Sequence, residues 1–111
     1  MAIFRLYTGS DGQSHVEEQT LAAHPALSQE RPSVHIQFRE LDAGAFMDWH
    51  PAPRRQYVIV LAGELEVGFK DGTTQRMRPG DATLAEDTTG PGHTTRVVST
   101  TPALAAIVPL A

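Results

Sequence analysis

The chain has 111 residues, no cysteine and a formal net charge of −4 at pH 7. This length suits one domain with a core large enough to fold unaided. The missing cysteines exclude disulfides, thiolate metal sites and cysteine nucleophiles. The negative charge, without a Lys/Arg cluster, argues against a nucleic-acid partner.

Neither end of the sequence suggests a membrane or secretory segment. The N-terminus lacks the signal-peptide pattern. The longest late apolar run, 103–110, is far shorter than the roughly 20 residues of a membrane helix. We therefore expect a cytoplasmic protein with no membrane partner.

The first third of the chain predicts one strand followed by an irregular arm. Residues 3–7 have the composition of a short strand, and Gly-Ser-Asp-Gly at 9–12 predicts a turn. The Ser-x-x-Glu sequence at 14–17 resembles a helix capping box, but Pro25 limits any such helix to about two turns. We therefore predict a mostly irregular segment at 13–32.

The arm separates two parts of the chain that belong to one structural domain. Residues 1–33 are predicted to be an N-terminal strand and arm, and residues 34–111 a β-barrel, within one structural domain. The two histidines of the arm, His15 and His24, are predicted to lie at the surface.

Residues 34–41 alternate between apolar and polar side chains, which predicts a half-buried strand. Val34, Ile36 and Phe38 share the apolar face, and His35 lies on the other. In a barrel this second face is either solvent or a polar cavity. His35 is therefore a candidate ligand-binding residue.

The strand predicted at 56–61 is apolar at every position from Tyr57 to Leu61. A strand with one face in water would alternate, so both faces are predicted to be covered. One side would be the core, and the other a second sheet or a partner chain. This pattern is the main reason to expect a homodimer.

The rest of the chain predicts short strands between turn signals, such as the hairpin signal Asp71-Gly72. These strands are predicted at 65–70, 73–78, 82–85, 94–99 and 104–108. Many short strands with almost no helix predict an all-β sandwich or barrel, and the two-sheet jelly roll fits best.

The stretch 44–63 carries the candidate site. Alternate side chains of a strand share a face, so Asp48, His50 and Ala52 are predicted to point the same way. The prolines and arginines that follow predict a turn, and Gln56 opens the next strand. Two adjacent antiparallel strands would then aim His50 and Gln56 at one point, where a histidine from a third strand would complete a small pocket.

The spacing of this stretch resembles the first metal-site motif of the cupin superfamily. That motif runs glycine, five residues, His-x-His, three or four residues, glutamate, six residues, glycine. Gly44 and His50 keep the first spacing, and Gly63 keeps the last. Ala52 stands where the second histidine belongs, and Gln56 where the glutamate belongs.

A looser match to the second cupin motif follows. That motif runs glycine, five residues, Pro-x-Gly, two residues, histidine, three residues, asparagine. Gly80 begins it, Glu86 replaces the proline, and a stretch two residues longer than the motif leads to His93. Val97 replaces the asparagine. The resemblance covers roughly half of the chain. It implies an all-β, cupin-type double-stranded β-helix (a jelly-roll barrel) with little helix and a site in the barrel mouth.

Carried across by this resemblance, the metal ligands are His50, Gln56 and His93, with the fourth ligand missing at Ala52. The implied cofactor is a divalent transition metal, with iron, nickel, manganese and zinc as candidates. Two imidazoles and an amide bring no negative charge, so we expect a lower affinity than in an intact site. A metal held this way would favour an anionic oxygen of the substrate, such as a carboxylate or enolate.

Charged residues near the motif are further candidates. Asp48, Glu86 or Asp87 could replace the missing ligand, with a solvated carboxylate as the alternative for each. Arg54 and Arg55 could hold an anionic group at the mouth through a bidentate contact, or lie in solvent.

Three functions are compatible with these residues, because one fold can host many chemistries. The first is metal-assisted chemistry on a small anionic or polar metabolite, with His50 and His93 as the catalytic pair. The second is metal-free ligand binding or catalysis, in which a histidine acts as acid, base or hydrogen-bond partner. The third is a structural or interaction module with a filled interior. The first two rank nearly equal, and the choice between enzyme and binding protein stays open.

Overall fold

The computed structural model describes residues 1–111 and consists almost entirely of short β-strands. The strands are β1 (Ile3–Thr8), β2 (Ser14–Gln19), β3 (Gln37–Leu41), β4 (Phe46–His50), β5 (Gln56–Ala62), β6 (Leu65–Gly68), β7 (Thr74–Met77), β8 (Ala82–Ala85), β9 (His93–Val97) and β10 (Ala103–Pro109). One 3-10 helix, Pro25–Ser28, interrupts the arm. No helix in the structure could cross a membrane.

The strands form two sheets with the core between them. The larger sheet has the order β2-β1-β8-β5-β10-β3, and the smaller has the order β4-β9-β6-β7. Both sheets contribute to one cluster of buried apolar side chains, so each covers the other's inner face. That cluster consists of Phe4, Leu6, Val60, Leu65, Val67, Phe69, Met77, Val97 and Ala103. The predicted all-β, two-sheet architecture with little helix is confirmed.

The N-terminal strand lies inside the larger sheet. β1 pairs with β2 on one side and, in parallel, with β8 on the other. The segment Ser14–Gln19, predicted to be irregular, is strand β2. It pairs with β1 because Ser14 is buried beneath the hairpin and Val16 packs against the core, while Glu17 and Glu18 are exposed. Residues 1–33 thus supply two strands and an arm to the same body as 34–111.

The strand predicted at 34–41 is shorter and faces the opposite way. It begins at Gln37, and Val34, Ile36 and Phe38 are 79%, 62% and 63% exposed. Apolar and polar side chains alternate as predicted, but the apolar side chains lie on the outer face of the sheet. β3 is an edge strand paired only with β10, so nothing within the chain covers that face.

The inner face of β3 carries Arg39 and Leu41 instead. Arg39 pairs with Ala105 and Leu41 with Ala103, and all four side chains line the space between the sheets. An arginine at the edge of the larger sheet therefore borders the space between the sheets while remaining exposed to solvent.

Strand β5 matches its prediction in position and is central to the larger sheet. Val58 and Val60 face inward, where Val60 is almost fully buried. On the outer face Tyr57 and Ile59 are half-buried, and Leu61 is 47% exposed. This outer face is therefore only partly covered within one chain.

Candidate functional site

A cavity of about 320 Å³ lies between the two sheets. This volume is near the lower end of the range for small-molecule pockets, about 300–1,000 Å³. Twelve of its twenty lining residues are hydrophobic, so the walls suit a ligand with an apolar body. The polar side chains in the lining are Arg39, His50, Gln56, Thr83, His93 and Thr95.

Two histidines from the smaller sheet meet at this cavity. His50 ends β4, His93 begins β9, and the two residues are directly paired across the strands. Their ring centroids are 4.6 Å apart, with an angle of 60° between the planes. The structure therefore brings together the two histidines that the cupin motifs indicated.

A buried carboxylate holds the ring of His93. Nδ1 of His93 donates to Oδ2 of Asp87 over 2.5 Å, and the Ser14 hydroxyl donates to the same oxygen over 2.6 Å. Asp87 has no exposed surface, and its other oxygen, Oδ1, has no partner. With the proton on Nδ1, the available lone pair of His93 lies on Nε2.

A backbone carbonyl holds the ring of His50 in the same way. Nδ1 of His50 donates to the main-chain oxygen of Asp48 over 2.6 Å. Because a carbonyl oxygen only accepts, the available lone pair of His50 is also on Nε2. Both histidines thus use Nδ1 as a structural donor and keep Nε2 as a free acceptor.

A β-bulge in β4 separates Asp48 from the site. The register between β4 and β9 shifts between Met47 and His50, and both of these residues line the cavity. The prediction that Asp48 shares the face of His50 is wrong, because the bulge adds a residue between the two inward positions. The Asp48 carboxylate instead accepts from the main-chain N–H of Trp49 over 2.9 Å.

Ala52 and Gln56 line the cavity as predicted, but the prediction that the strands of His50 and Gln56 are adjacent is wrong. β4 and β5 lie in different sheets and are not paired, because the proline-rich segment between them turns the chain across the cavity. Gln56 therefore faces the histidines from the opposite sheet. Ala52 is buried, and its N–H donates to the main-chain oxygen of Asp87 over 3.0 Å.

Glycine is required immediately before His93. Gly92 has a φ of +79°, and a β-carbon on it would lie 1.9 Å from the carbonyl oxygen of His50. Any side chain at this position would push apart the two strand ends that carry the histidines.

The other predicted ligand-binding residues, His35, Asp48, Arg54 and Arg55, do not line the cavity. His35 is exposed outside any strand, and Nε of Arg54 donates weakly to Gln56 Oε1 over 3.4 Å. Arg55 donates to Glu86 over 3.0 Å.

Glu86, one candidate for the missing ligand, is occupied by two arginines. Arg5 and Arg55 donate to its two oxygens over 2.5 and 3.0 Å. Burial raises the pKa of Glu86, but the two arginine hydrogen bonds outweigh it, so the pKa lies below its ordinary value. This carboxylate is outside the cavity lining.

Asp87 and Arg39 have contacts or positions that the sequence did not indicate. Asp87 had been one of three possible replacement ligands, and it instead contacts the far side of the His93 ring. Arg39 was not singled out, although its two-residue spacing from Leu41 would have placed both on one face of β3.

Each histidine of the pair has the tautomer of a metal ligand. Histidines that bind metals usually donate their second nitrogen to a carboxylate or carbonyl, as both do here. The two rings are neighbours, with centroids 4.6 Å apart.

The side chains present supply only part of a usual set of metal ligands. No group of three or more His, Cys, Asp or Glu side chains is arranged to hold a metal. The residues present therefore suit a centre of two histidines completed by neutral oxygen donors such as the amide of Gln56 or water.

No protein-family model matches the sequence, and a search of curated proteins found no similar sequence. Solved structures do share the fold. An uncharacterized conserved protein with a double-stranded β-helix domain from Klebsiella pneumoniae subsp. pneumoniae MGH 78578 matches with a TM-score of 0.54 and 19% identity. The match covers 73% of this chain and 75% of that one.

Two further similar structures come from eukaryotes. The cupin domain of Schizosaccharomyces pombe Cnp3 matches 100% of this chain and 83% of its own, with a TM-score of 0.56 and 17% identity. Drosophila melanogaster CENP-C, bound to CAL1, matches 94% of this chain and 78% of its own, with a TM-score of 0.54 and 13% identity.

Proposed function

We propose that this chain, which has the cupin-type double-stranded β-helix fold, binds a small anionic or polar metabolite between its two sheets. His50 and His93 are the residues that act on it. One observation supports this most directly: both histidines line a largely apolar cavity, and each is fixed through Nδ1 and keeps Nε2 without a protein partner. A polar group on a small molecule would meet two oriented acceptors or metal ligands there.

In the first form of this proposal, His50, His93 and the Gln56 amide hold a divalent transition metal. When bound, such an ion supplies Lewis-acid polarisation of a substrate oxygen. Asp87 and the Asp48 carbonyl keep the two imidazoles in the ligating tautomer, and the apolar walls exclude water from the reacting group.

The test is elemental mass spectrometry on protein made without a polyhistidine tag and never exposed to a nickel column. We expect about one equivalent of metal per chain, because one histidine pair lies in the cavity. The metal should be lost in His93→Ala and retained in His35→Ala, which removes an exposed histidine outside the cavity. Protein that stays free of metal after soaking with iron, nickel, manganese and zinc would refute this form.

A metal-free form is favoured by a different observation, the buried contact between Asp87 and His93 beside a cavity without acidic side chains. Nε2 of His93 would accept a proton from the ligand, and the Asp87 carboxylate would stabilise the imidazolium that forms. Ligand binding or turnover would then persist in the presence of a strong chelator.

An interaction module is the third candidate. It is supported by the likeness to the Cnp3 cupin domain and to CENP-C bound to CAL1. The cavity beside His50 weighs against a filled interior. If substitution of His50 leaves binding to a protein partner intact but abolishes ligand binding, the two roles are separate.

We also propose that the chain forms a homodimer through the outer face of the larger sheet. Phe38, Ala106 and Ile59 are directly paired across β3, β10 and β5, which makes an apolar row on this face. Phe38 and Leu61 are exposed there. A second copy would cover side chains that one chain leaves in water. Light scattering on the purified protein measures the mass directly.

A further inference from the structure

We propose that Arg39 is the anion-binding residue of the cavity, and that the ligand is a small monocarboxylate with an apolar body. Arg39 is the only lining residue with a permanently charged side chain. It reaches the cavity because β3 turns its Arg39–Leu41 face inward, opposite Ala105 and Ala103 of β10. The inference rests on the proposal that this cavity binds a small molecule.

Arg39 lacks the partners that most other cations of the chain have. Arg5 and Arg55 donate to Glu86, and Arg76 donates to Glu64. Arg39 makes no ion pair and no side-chain hydrogen bond. A guanidinium presents a planar fork of donors that matches the two oxygens of a carboxylate.

Aromatic rings satisfy two of the remaining cations. Lys70 lies over the ring of Trp49 and Arg96 over that of Phe46, at 3.8 and 4.4 Å from the ring centroids. Arg39 has no such contact, although it borders a largely apolar space. Arg39 is also exposed to solvent, so its unpaired guanidinium is accessible and could bind a carboxylate of the ligand.

The position of Arg39 along the sheet sets the shape of this ligand. Arg39 is level with Ala105 of β10, whereas Gln56 is level with Pro109. Four residues of strand separate these levels, about 13 Å at roughly 3.3 Å per residue. Arg39 thus borders the cavity four residues of strand away from the level of Gln56, and Leu41 and Ala103 line the cavity beyond it. The side chains of Val58 and Ile107 lie between the two levels.

This arrangement selects against several alternatives. A small dianion such as oxalate would use Arg39 but leave the apolar middle of the cavity unfilled. A neutral sugar would make no charge-assisted contact with Arg39 and would place hydroxyl groups against Val58 and Ile107. A short apolar chain with one carboxylate satisfies both Arg39 and the apolar walls.

The test uses three straight-chain acids, butanoate, hexanoate and octanoate, each beside its uncharged amide. Binding is measured by NMR titration, from the shifts of the Leu65 and Val67 methyl groups, which line the cavity. We expect hexanoate or octanoate to bind at least about tenfold more tightly than its amide, the usual size of a charge-assisted hydrogen bond. In Arg39→Gln this preference should disappear, with the amide binding as before.

Two variants control the interpretation. Arg31→Gln removes an exposed arginine of the arm that also lacks an ion pair but lies outside this cavity, and it should keep the preference. Arg39→Lys should retain part of it, since the charge stays and the bidentate fork is lost.

The outcomes separate this inference from the proposed function. If acids and amides bind equally, or if Arg39→Gln keeps the preference, the role of Arg39 is refuted while the cavity remains a binding site. The same holds if the preference is lost only in His93→Gln. If none of the six compounds shifts the cavity methyl groups, the monocarboxylate ligand is refuted, and the role of Arg39 with it, while the metal analysis still tests the proposed function.

Discussion

Asp87 contacts His93 from behind, so that a carboxylate with no exposed surface fixes a ring that faces the cavity. The same residue accepts from Ser14 through its side chain and from Ala52 through its main chain. Asp87 therefore joins the N-terminal hairpin, the segment after β4 and the ring of His93.

Asp87→Asn should weaken ligand or metal binding by about 10–100-fold, the usual effect of removing such a partner from a histidine. The amide can donate to Nδ1, so the His93 tautomer should shift towards a proton on Nε2. Imidazole nitrogen NMR reports this directly, and a purely structural role would not change it. Asp48→Asn is the control, because only the main chain of Asp48 contacts a histidine. An unchanged His93 tautomer in Asp87→Asn would contradict the assignment.

Gly92→Ala should destabilise the fold by more than about 1 kcal/mol, the usual cost of alanine at a positive φ. The expected excess comes from overlap of the new β-carbon with the His50 carbonyl. Gly72→Ala measures only the cost of alanine at a positive φ. Gly72 also has a positive φ but has no atom within 4 Å of the added carbon. Urea unfolding measures both variants, and equal losses would show that the contact with His50 is unimportant.

Glu86→Gln should lower stability at neutral pH but not at low pH. The folded-state pKa of Glu86 lies below the ordinary value of 4.5, so its stabilising effect is present above that value and is lost as pH falls through the folded pKa. Arg5 and Arg55 are partly exposed, which limits the effect to about 1 kcal/mol or less.

Urea midpoints for Glu86→Gln and wild type, measured from pH 7 to pH 3, should therefore converge as the solution becomes acidic. Glu17→Gln serves as the control, since Glu17 meets Arg5 at 3.5 Å and is more exposed. A difference that stays constant across the series would exclude the ionised form of Glu86 as the cause.

Ala52→His combined with Gln56→Glu should raise zinc affinity by at least about tenfold. Both positions line the cavity, and the added imidazole and carboxylate would supply an acceptor and a negative charge. Asp48→His adds a histidine on the other side of the bulge and should leave the affinity unchanged. Competition with a zinc-binding dye gives the dissociation constants. A similar gain in Asp48→His would mean that the bulge does not separate these positions in solution.

Phe38→Glu should convert a homodimer into a monomer, because it places a charge in the apolar row of the larger sheet. Phe46→Glu is the matched control, since Phe46 is also exposed but lies on the smaller sheet beneath Arg96. Light scattering at several protein concentrations distinguishes the two masses. A dimer that survives Phe38→Glu but not Phe46→Glu would move the interface to the smaller sheet.

The candidate site was predictable at the positions that depend only on the spacing of residues along the sequence. His50 and His93 sit at motif positions that correspond to paired strand ends, and the structure pairs them. Alternation also placed Ala52 inside, two positions after His50, and the start of the next strand placed Gln56 there. The same rule failed for Asp48, because a bulge has no reliable signature in one sequence.

Contacts between distant parts of the chain were beyond sequence reasoning. Asp87 and Ser14 are 73 positions apart, and no local pattern brings them together. The exposed face of β3 was misassigned for a related reason: an apolar face indicates burial only if another element covers it, and β3 is at the edge of its sheet.

The hydrogen bond from Ser14 to Asp87 also bears on when the site forms during folding. Ser14 reaches Asp87 only after the first hairpin has joined β8, a strand that is synthesised much later. Such long-range closure is slow compared with local structure, since the intervening loop must be ordered first. A nascent or partly folded chain would carry both histidines without their fixed orientation. The fixed orientation of His93 would then appear only with the complete fold.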